Sequence, residues 1–411
     1  MSRVFKLVLV LGVSFVLTVG LFGNGMNLNG VGSKAIAMGG AFIGLADDYS
    51  AVFWNPAGLT QMKDPNIALF GTFIFPKGSY KFGLLGIDAK TENKIYPSGA
   101  FGYFKPLSEK VVVGILGYVP SAIGAKWKGE ELKLLAGGVN YMWESQLGMF
   151  TLSPVVAFKL SDMFSLGATV NLSYGLLKLK RPALGQYEED LNGMAFGATI
   201  GALFKPSDKF SLGLTFKTPM KVKIKGDASM SGAGLLGLPD TSELERNADW
   251  PMWIGAGIAF KPFDKLTITA DVQYTNWKKM DMIAADFSDP GWALVFGQAS
   301  DLVLRWDDAT QIRFGAQYQA SEALAIRAGF YIDPGPGPEA TQNILLPGFD
   351  YNVVTFGLGY NTGKVNIDFC FEYVMGKERD VGLLEADPAA GMPGIHKFDI
   401  FAPNIAITFF L

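Results

Sequence analysis

Apolar and polar residues alternate along many stretches of the chain. In the ten residues 266–275 the alternation has no slip: leucine, isoleucine, alanine, valine and tyrosine occupy one face, while threonine, aspartate and glutamine occupy the other. The same period of two recurs at 311–318 and 365–373. A period of two predicts strands with one apolar face, and about ten residues is the length that a tilted strand needs to cross a bilayer. Because strands in soluble sandwiches are usually nearer five or six residues, the pattern predicts lipid outside and a lumen inside.

A second pattern is a short turn that recurs between these runs. Each copy begins with Phe-Lys and continues through Pro, Ser, Leu or Asp into a new alternating run, at 104–110, 158–164, 204–210 and 260–265. Pro presets φ and Ser or Asp bonds the nearby backbone, so these segments predict tight turns. Longer segments lie between the turn-linked pairs, at 120–147, 181–192, 226–250, 282–307, 334–350 and 377–396. Short turns at one end and long loops at the other are typical of an outer-membrane β-barrel.

The alternating runs number fourteen. The predicted strands are 66–75, 97–105, 110–119, 148–160, 163–178, 193–205, 209–225, 250–261, 265–279, 308–319, 323–333, 350–361, 364–375 and 397–411. An even number of antiparallel strands closes a barrel with both chain ends on the periplasmic side. The predicted fold class is therefore all-β, a 14-stranded antiparallel transmembrane β-barrel.

The first residues have the composition of an export signal. Arg3 and Lys6 provide a positive start, and residues 7–21 form an uncharged apolar run. Such a segment predicts a cleaved signal peptide, with cleavage near Gly23 to Gly25. The alternative is an N-terminal membrane anchor, but the apolar run is short for a membrane-spanning helix. The predicted domains are a signal peptide at 1–23, a plug at 24–65 and a transmembrane barrel at 66–411.

Composition narrows the classes of function. Of the 411 residues, 49% are hydrophobic and only 18% are charged, and the mean hydropathy is +0.23. After the N-terminal segment, no run reaches the roughly 18 apolar residues of a transmembrane helix, which favours strands that face lipid. The net charge of −3 predicts no nucleic-acid partner. The single Cys370 and single His396 are too few for a disulfide, a Cys/His metal site or most His-dependent catalysis, so we expect no enzyme, metal or cofactor.

The predicted plug carries the most specific motif of the chain. Residues 24–65 lack strand alternation and are rich in glycine and small apolar side chains, which makes them too apolar for a loose tail. Within them, 41–59 reads AFIGLADDYSAVFWNPAGL, with the pair Asp47-Asp48 and then Asn55-Pro56-Ala57 and Gly58. These residues resemble the N-terminal hatch of the FadL/TodX family of outer-membrane transporters. Segments 251–253, 274–277 and 333–338 are similar to family stretches in the same order, so the resemblance covers the whole mature chain.

The resemblance implies both a structure and a function. The barrel is expected to be plugged by a short, mostly helical hatch of three helices. A hydrophobic small molecule is expected to bind in an external groove, pass to an apolar pocket against the hatch, and leave sideways into outer-membrane lipid where one strand kinks inward. This transport is passive, and family precedent implies a monomer. The sequence does not identify the strand that kinks.

Several substrates and classes remain open at this point. Long-chain fatty acids are the preferred substrate, and aromatic hydrocarbons such as toluene are the alternative within the family. The sequence shows no unambiguous buried base dedicated to a carboxylate. A general aqueous porin is the second alternative, although it has no use for a Gly-rich plug. A barrel enzyme would need a serine partner for His396, and a structural or adhesive barrel gives no reason for the hatch motif.

Candidate site residues form two groups, each with a plainer alternative. The hatch motif is expected to hold the hatch against the kinked strand and to gate it, and it comprises Asp47, Asp48, Asn55, Pro56, Ala57 and Gly58. Taken alone, these residues also suit a turn after a short helix. The candidate ligand-binding residues are Met26, Leu28, Phe42, Phe53, Trp54, Lys178, Lys180 and Arg181. The alternatives are packing of the hatch for the first five and solvation in a loop for the three bases.

Three further groups have competing interpretations. The inward charges Asp271, Arg313, Arg327, Asp368 and Glu372 are expected to form ion pairs in the lower lumen rather than a substrate path. The apolar loop segments 235–238 and 344–347 are expected to form an external capture groove, or else to pack against other loops. Four tryptophans near strand ends are predicted to be interfacial girdle anchors: Trp250, Trp253, Trp277 and Trp306.

Overall fold

The computed structural model describes residues 25–411, so the predicted signal peptide lies outside the described residues. The barrel strands are β1 (Asn66–Phe82), β2 (Tyr96–Ser108), β3 (Val111–Trp127), β4 (Trp143–Lys159), β5 (Phe164–Pro182), β6 (Gln186–Ser207), β7 (Phe210–Lys217 and Met220–Met230), β8 (Thr241–Trp250 and Trp253–Phe263), β9 (Leu266–Thr275), β10 (Ala309–Gln319), β11 (Leu324–Asp333), β12 (Tyr351–Asn361), β13 (Val365–Gly376) and β14 (Gly394–Phe410). Neighbours are antiparallel, and β1 pairs with both β2 and β14, which closes the barrel. The predicted fourteen-stranded barrel is confirmed.

The remaining elements are short. The α-helices are α1 (Ser33–Ala37), α2 (Ala51–Trp54), α3 (Gly129–Leu132) and α4 (Pro290–Phe296). The 3-10 helices are Pro56–Gln61, Gly83–Leu85, Lys133–Ala136, Ala233–Leu236, Trp277–Lys279, Gln298–Ser300 and Glu339–Thr341. Short strands outside the barrel wall are Ile87–Lys90, Met282–Ile283, Asp286–Phe287, Leu302–Val303 and Arg379–Val381. Among residues 25–411, no helix has the length and apolar character needed to cross a membrane.

The barrel wall is apolar outside and polar inside. On β9 the side chains of Ile268 and Val272 are 45% and 51% exposed, whereas Asp271 and Gln273 are buried. A soluble protein would show the opposite arrangement. The alternation in the sequence therefore corresponds to a lipid-facing surface and a polar lumen, as in other transmembrane barrels.

On the loop side, several strands continue past their predicted ends. Only residues 183–185 join β5 to β6, so the loop predicted at 181–192 is wrong. In its place, Lys178 lies 2.8 Å from Asp190 and Lys180 lies 2.6 Å from Glu188 across the hairpin. These charges end the apolar alternation in the sequence, but opposite charges that face each other stabilise a strand pair. The hairpin thus extends beyond the apolar band of the wall.

A loop folds into the mouth of the barrel on this side. Ile344, Leu345 and Leu346 are buried there, and Trp127 Nε1 donates a hydrogen bond to Ile344 O at 2.8 Å. The capture groove predicted for 344–347 is therefore wrong, because this segment packs inside the mouth. The other predicted groove segment behaves differently, since Leu235 is 93% exposed.

Residues 25–65, called the hatch below, lie inside the barrel. Helix α1 packs against β11–β14, and the 3-10 helix Pro56–Gln61 packs against β3–β6 on the opposite wall. The hatch therefore spans the lumen. It separates an outer part, which faces the long loops, from an inner part, which faces the short turns and hence the periplasm.

Candidate functional site

The strand that kinks is β3. Its ladder with β2 ends at the pair Ala100 and Tyr118. Its register with β4 shifts between Tyr118 and Ser121, so Val119 and Pro120 form a bulge. A bulge bends its strand and disrupts pairing locally. The hydrogen-bonded wall is consequently interrupted between β2 and β3.

Beyond this bulge, the hatch takes the place of β2 as a partner of β3. Leu28 N donates to Pro120 O at 2.9 Å, and Ala122 N donates to Met26 O at 2.8 Å. Backbone groups at membrane depth must be satisfied within the protein. The start of the hatch therefore stabilises the kink, and a movement of one would affect the other.

A cavity of about 70 Å³ lies between the kink and the hatch. Its apolar side is aromatic and consists of Phe53, Trp54, Trp250 and Trp253, together with Leu28. Its polar side carries hydroxyl and amide groups from β4 and β5, namely Thr151, Asn171 and Ser173. Since a cavity of about 150 Å³ holds one benzene, this space has room for only one end of a large ligand.

Lys217 of β7 places an ammonium group in the cavity. Its Nζ lies 3.3 Å from the ring centroid of Phe53 and 4.4 Å from that of Trp253. Among residues 25–411, no carboxylate oxygen lies within 4.0 Å of this nitrogen. Aromatic faces attract a cation but do not neutralise it. An anion bound beside this buried group would stabilise its protonated, ammonium form.

Arg313 of β10 provides a second cation at the cavity. Its guanidinium donates to Gly39 O at 2.9 Å and to Gln311 Oε1 at 3.0 Å, so it is fixed to the hatch and to its own strand. None of the described lining residues is acidic. Two cations without a lining carboxylate give the cavity a positive potential.

Lys217 was not among the residues predicted from the sequence, although it belongs to an alternating run. Ser211, Gly213 and Thr215 point into the lumen along β7, and Lys217 continues their face. The inward face of each strand is thus readable from the sequence. The sequence does not show how far Lys217 lies from the carboxylates of the other strands.

Asn55 joins the hatch to β6. Its buried Nδ2 donates to Ile43 O and Ala202 O, both at 2.9 Å, and its Oδ1 accepts from Ala57 N at 3.2 Å. Gly201 of β6 permits this approach, because a Cβ atom there would lie 2.1 Å from Asn55 Oδ1. One side chain therefore bonds to three backbone groups, two in the hatch and one in the wall.

The rest of this motif turns the chain next to the wall. Pro56 and Ala57 begin the 3-10 helix, where Pro is favourable because its missing N–H is not needed. Gly58 passes close to Ala46, since a Cβ atom at Gly58 would lie 2.0 Å from Ala46 O. Both contacts require small or preset residues, which fixes the position of the hatch.

The acidic pair faces the inner part of the lumen, away from the cavity. Asp47 lies 2.7 Å from Lys34 Nζ, and Asp48 Oδ1 accepts from Ser50 N and Ser50 Oγ at 2.8 and 2.6 Å. Burial raises the pKa of Asp48 to about 6, although the nearby Lys34 acts in the opposite direction. Both acids line a polar vestibule of about 530 Å³.

The other hatch candidates divide between the cavity and the protein core. Leu28, Phe53 and Trp54 line the cavity. Met26 is buried beneath β3, and Phe42 is buried in the hatch with its N–H donating to Asp271 Oδ2 at 2.8 Å. These last two residues shape the site without lining it.

The predicted bases of β5 do not line the cavity. Lys178 and Lys180 are held by the cross-strand ion pairs of the hairpin. Arg181 donates to Ala299 O at 3.0 Å and packs over the ring of Tyr187. The structure thus separates these three bases from the hatch candidates.

The inward charges have different roles from one another. Arg327 and Asp368 form an ion pair at 2.5 Å in the inner lumen, as predicted. Asp271 instead accepts the N–H groups of Phe42 and Ile43, at 2.8 and 2.9 Å, and so anchors the hatch. Glu372 accepts from a tyrosine hydroxyl at 3.0 Å.

The tryptophans predicted as girdle anchors are buried inside the protein, so that prediction is wrong. Trp277 is central, with ring centroids 5.9 Å from Trp250 and 5.1 Å from Trp306 in edge-to-face contact. Trp253 shares the lumen face of β8 with Gly255. These rings fill the outer lumen because the loops fold inward over it.

Comparisons with known proteins agree with this architecture. The sequence profile described as outer membrane protein transport protein (OMPP1/FadL/TodX) matches residues 13–392. The 47 kDa outer membrane protein of Pasteurella multocida is 24% identical over 83% of this chain and 85% of its own length. A FadL homologue from Pseudomonas aeruginosa has a TM-score of 0.78 at 17% identity, covering 94% of this chain and 99% of that one. The toluene transporter TodX of Pseudomonas putida has a TM-score of 0.74 at 16% identity, with the same coverage.

These relatives are outer-membrane proteins and the similar structures are transport channels rather than enzymes. The plugged barrel, the kinked strand and the match over most of the sequence agree with one another. This chain belongs to the OMPP1/FadL/TodX family of outer-membrane transport proteins, which carry hydrophobic small molecules across the outer membrane.

Proposed function

We propose that this chain is a passive transporter of long-chain fatty acids, or of similar hydrophobic molecules with an anionic head. The observation that carries this proposal is Lys217, whose ammonium group lies in the cavity without a carboxylate within 4.0 Å among residues 25–411. A carboxylate head would pair with it and would also approach Arg313. An apolar tail would pack against the aromatic side of the cavity.

The proposed route begins on the extracellular loops. Leu235 and Leu294 are 93% and 88% exposed, and they lie on loops that contact each other where Leu238 meets Gly291. Exposed apolar side chains of this kind are costly unless they bind something. We infer that they capture the ligand before it reaches the cavity.

The proposed exit is the interruption between β2 and β3. Sideways release into lipid keeps an apolar tail out of water, where each re-exposed Å² would cost roughly 25 cal/mol. The hatch motif, from Asp47 to Gly58, is proposed to hold this exit in position, because the start of the hatch pairs with β3. A movement of the hatch would then open or close the route.

A second candidate is transport of aromatic hydrocarbons. Two observations favour it: the small volume of the cavity and the five aromatic side chains that line it, Tyr118 among them. A neutral ring, however, has no interaction that compensates the burial of Lys217 beyond the cation–π contacts already present. A general aqueous porin is the less favoured alternative, since the hatch spans the lumen.

The test is uptake of labelled oleate and labelled toluene by cells that lack their own hydrophobic-solute transporter. The cells express the wild-type chain, Lys217→Met or Lys217→Arg at matched surface levels. We expect oleate uptake to fall in Lys217→Met and to be retained in Lys217→Arg, with toluene uptake similar in all three. Oleate uptake that is unchanged in Lys217→Met would contradict the fatty-acid assignment, and uptake of toluene alone would support the second candidate.

The proposal also covers the export of the chain and its oligomeric state. We propose that the signal peptide at 1–23 is removed and that the mature chain is a monomer in outer-membrane lipid. The mass of the mature protein should then correspond to a start near Gly23 to Gly25, and light scattering in detergent should give a single chain. A retained N-terminus would indicate a membrane anchor.

A further inference from the structure

The barrel wall has a second interruption, between β6 and β7. In the part of the chain that the structure describes, the ladder runs from the short turn up to the pair Thr199 and Lys217, stops, and resumes at Asn192 and Lys225. Over this interval β7 has one residue more than β6, which defines a bulge. A backbone bond across this interval runs from Thr218 N to Ala198 O at 2.9 Å.

Two prolines explain why the strands break at this height. Pro219 lies between the two segments of β7, and Pro251 lies between the two segments of β8. Proline has no N–H to donate to a ladder, so it is confined to edges and bulges. The ladder between β7 and β8 continues on both sides of the prolines, from Lys217 with Trp253 to Met220 with Trp250. The two strands therefore bend together and lose their regular pairing with β6, although Gly193 still lies against Lys223, where a Cβ atom would be 1.9 Å from the carbonyl oxygen.

This interruption opens onto the same cavity as the kink of β3. Lys217, Thr218 and Met220 line the cavity from the β7 side. On the lipid side of the wall, Met194 and Phe196 of β6 are 50% and 64% exposed. The break therefore lies between an internal cavity and the apolar outer surface of the wall.

The side chain of Met220 packs against the lumen face of β6 at this break. A Cβ atom built on Gly197 of β6 would lie 2.7 Å from Met220 Cγ and 2.8 Å from its Sδ. Gly197 therefore leaves the space that the thioether occupies, between the cavity and the wall. Methionine is unbranched and adaptable, so its side chain can leave such a space at low cost.

We propose that the β6–β7 interruption is a second lateral portal between the cavity and the membrane, and that Met220 closes it. The portal would pass the same hydrophobic ligand, so this inference rests on the proposed transport function. A ligand tail at the cavity would displace the thioether by making equivalent apolar contacts. The cavity would then have two lateral connections, one beside the hatch and one opposite it.

A reversible disulfide across the break tests this portal. Because Met220 Cγ lies 2.7 Å from the Cβ position of Gly197, the two Cβ positions are at most about 4 Å apart, within the usual range for a disulfide. Gly197→Cys/Met220→Cys is made in a Cys370→Ala background, since Cys370 is the only native cysteine. The control pair is Ile312→Cys/Ile332→Cys, which are lipid-facing partners in the intact ladder between β10 and β11.

Uptake of labelled oleate and toluene is measured with each pair oxidised and then reduced, together with binding of a fluorescent fatty acid to the purified protein. We expect oxidation of the 197–220 pair to cause a partial loss of uptake that reduction reverses, with binding retained and with no effect in the control pair. Met220→Gly should raise uptake above wild type. Equal uptake in the oxidised and reduced states would overturn the portal, and so would a loss of binding together with uptake, because the pair would then act on the cavity. If the wild-type chain takes up neither solute, the proposed transport function fails instead.

Discussion

The outer and inner parts of the lumen differ in how they treat charge. In the inner part, the cations lie next to acids: Lys34 with Asp47 and Arg327 with Asp368. In the outer part, Lys217 lies between two aromatic rings, and none of residues 25–411 places a carboxylate oxygen within 4.0 Å of its Nζ. The hatch separates the two parts. The difference suggests that the inner charges hold the structure together, whereas the outer charge is kept for a ligand.

The same comparison applies to apolar groups. The inner vestibule is lined largely by charged and amide side chains, while aromatic rings cover one side of the outer cavity. A hydrophobic ligand would therefore gain little by continuing inward past the hatch. Lateral release into the membrane is the direction in which its apolar surface stays covered.

The largest effect on uptake is expected from replacing Asn55, whose side chain holds the hatch between the outer and inner parts of the lumen. Asn55→Ala would remove the hydrogen bonds to the carbonyls of Ile43 and Ala202, and a buried group that loses its partner costs about 1–3 kcal/mol. We expect the hatch to detach from β6 and oleate uptake to fall close to the level of empty cells. Asn361→Ala is the matched control, because its side chain accepts a hydrogen bond from the N–H of Gly363 in an exposed turn. Normal uptake by Asn55→Ala would show that the hatch is held by other contacts.

An intermediate effect is expected from breaking an inner ion pair. Arg327→Met leaves the buried carboxylate of Asp368 without its partner and should lower the free energy of unfolding by about 3–5 kcal/mol. Arg327→Met/Asp368→Leu should restore most of this loss, and neither variant should weaken fatty-acid binding. The control is Lys81→Met, whose exposed pair with Asp88 is worth about 0–1 kcal/mol. Weaker ligand binding by the double variant would mean that inner charges also serve the ligand.

The smallest expected effect is a pH dependence of stability that comes from Asp48 in the hatch. Burial raises the pKa of Asp48 from 3.8 to about 6, so between these values the folded protein holds a proton that the unfolded chain has released. Stability from this group is therefore complete below pH 3.8 and declines as the pH rises through about 6. Asp48→Asn should remove this decline from thermal unfolding curves. Asp208→Asn, at a fully exposed turn position, should keep it, and identical slopes in both variants would contradict the assignment.

Much of the barrel could be predicted from sequence because a lipid-facing strand has a strict period of two. Residues 266–275 show this best, since every inward and outward side chain has the predicted face. The prediction failed where that period stops although the ladder continues, as at Lys178 and Lys180. There, cross-strand charge pairs replaced the apolar pattern.

The site was less predictable because its parts come from distant segments. The sequence showed the motif around Asn55, but it did not show the wall carbonyl of Ala202 or the wall glycines that the motif meets. Pro120 is one of several prolines in strands, so the sequence could not show that it marks the kink. Trp277 and Trp306 were assigned to the membrane interface because they lie near strand ends in the sequence. Their loop instead folds into the mouth of the barrel, and this depends on contacts with other loops that the sequence does not show.

The most direct test of the account compares one cation from each part of the lumen. Binding of oleate to the purified protein in detergent is measured by calorimetry for wild type, Lys217→Met and Lys34→Met. Because a charge-assisted bond contributes about 1.5–3 kcal/mol, we predict roughly tenfold or greater weakening in Lys217→Met and wild-type affinity in Lys34→Met. Equal affinities in all three proteins, or weakening only in Lys34→Met, would contradict the assignment of the outer cavity as the site of the anionic head.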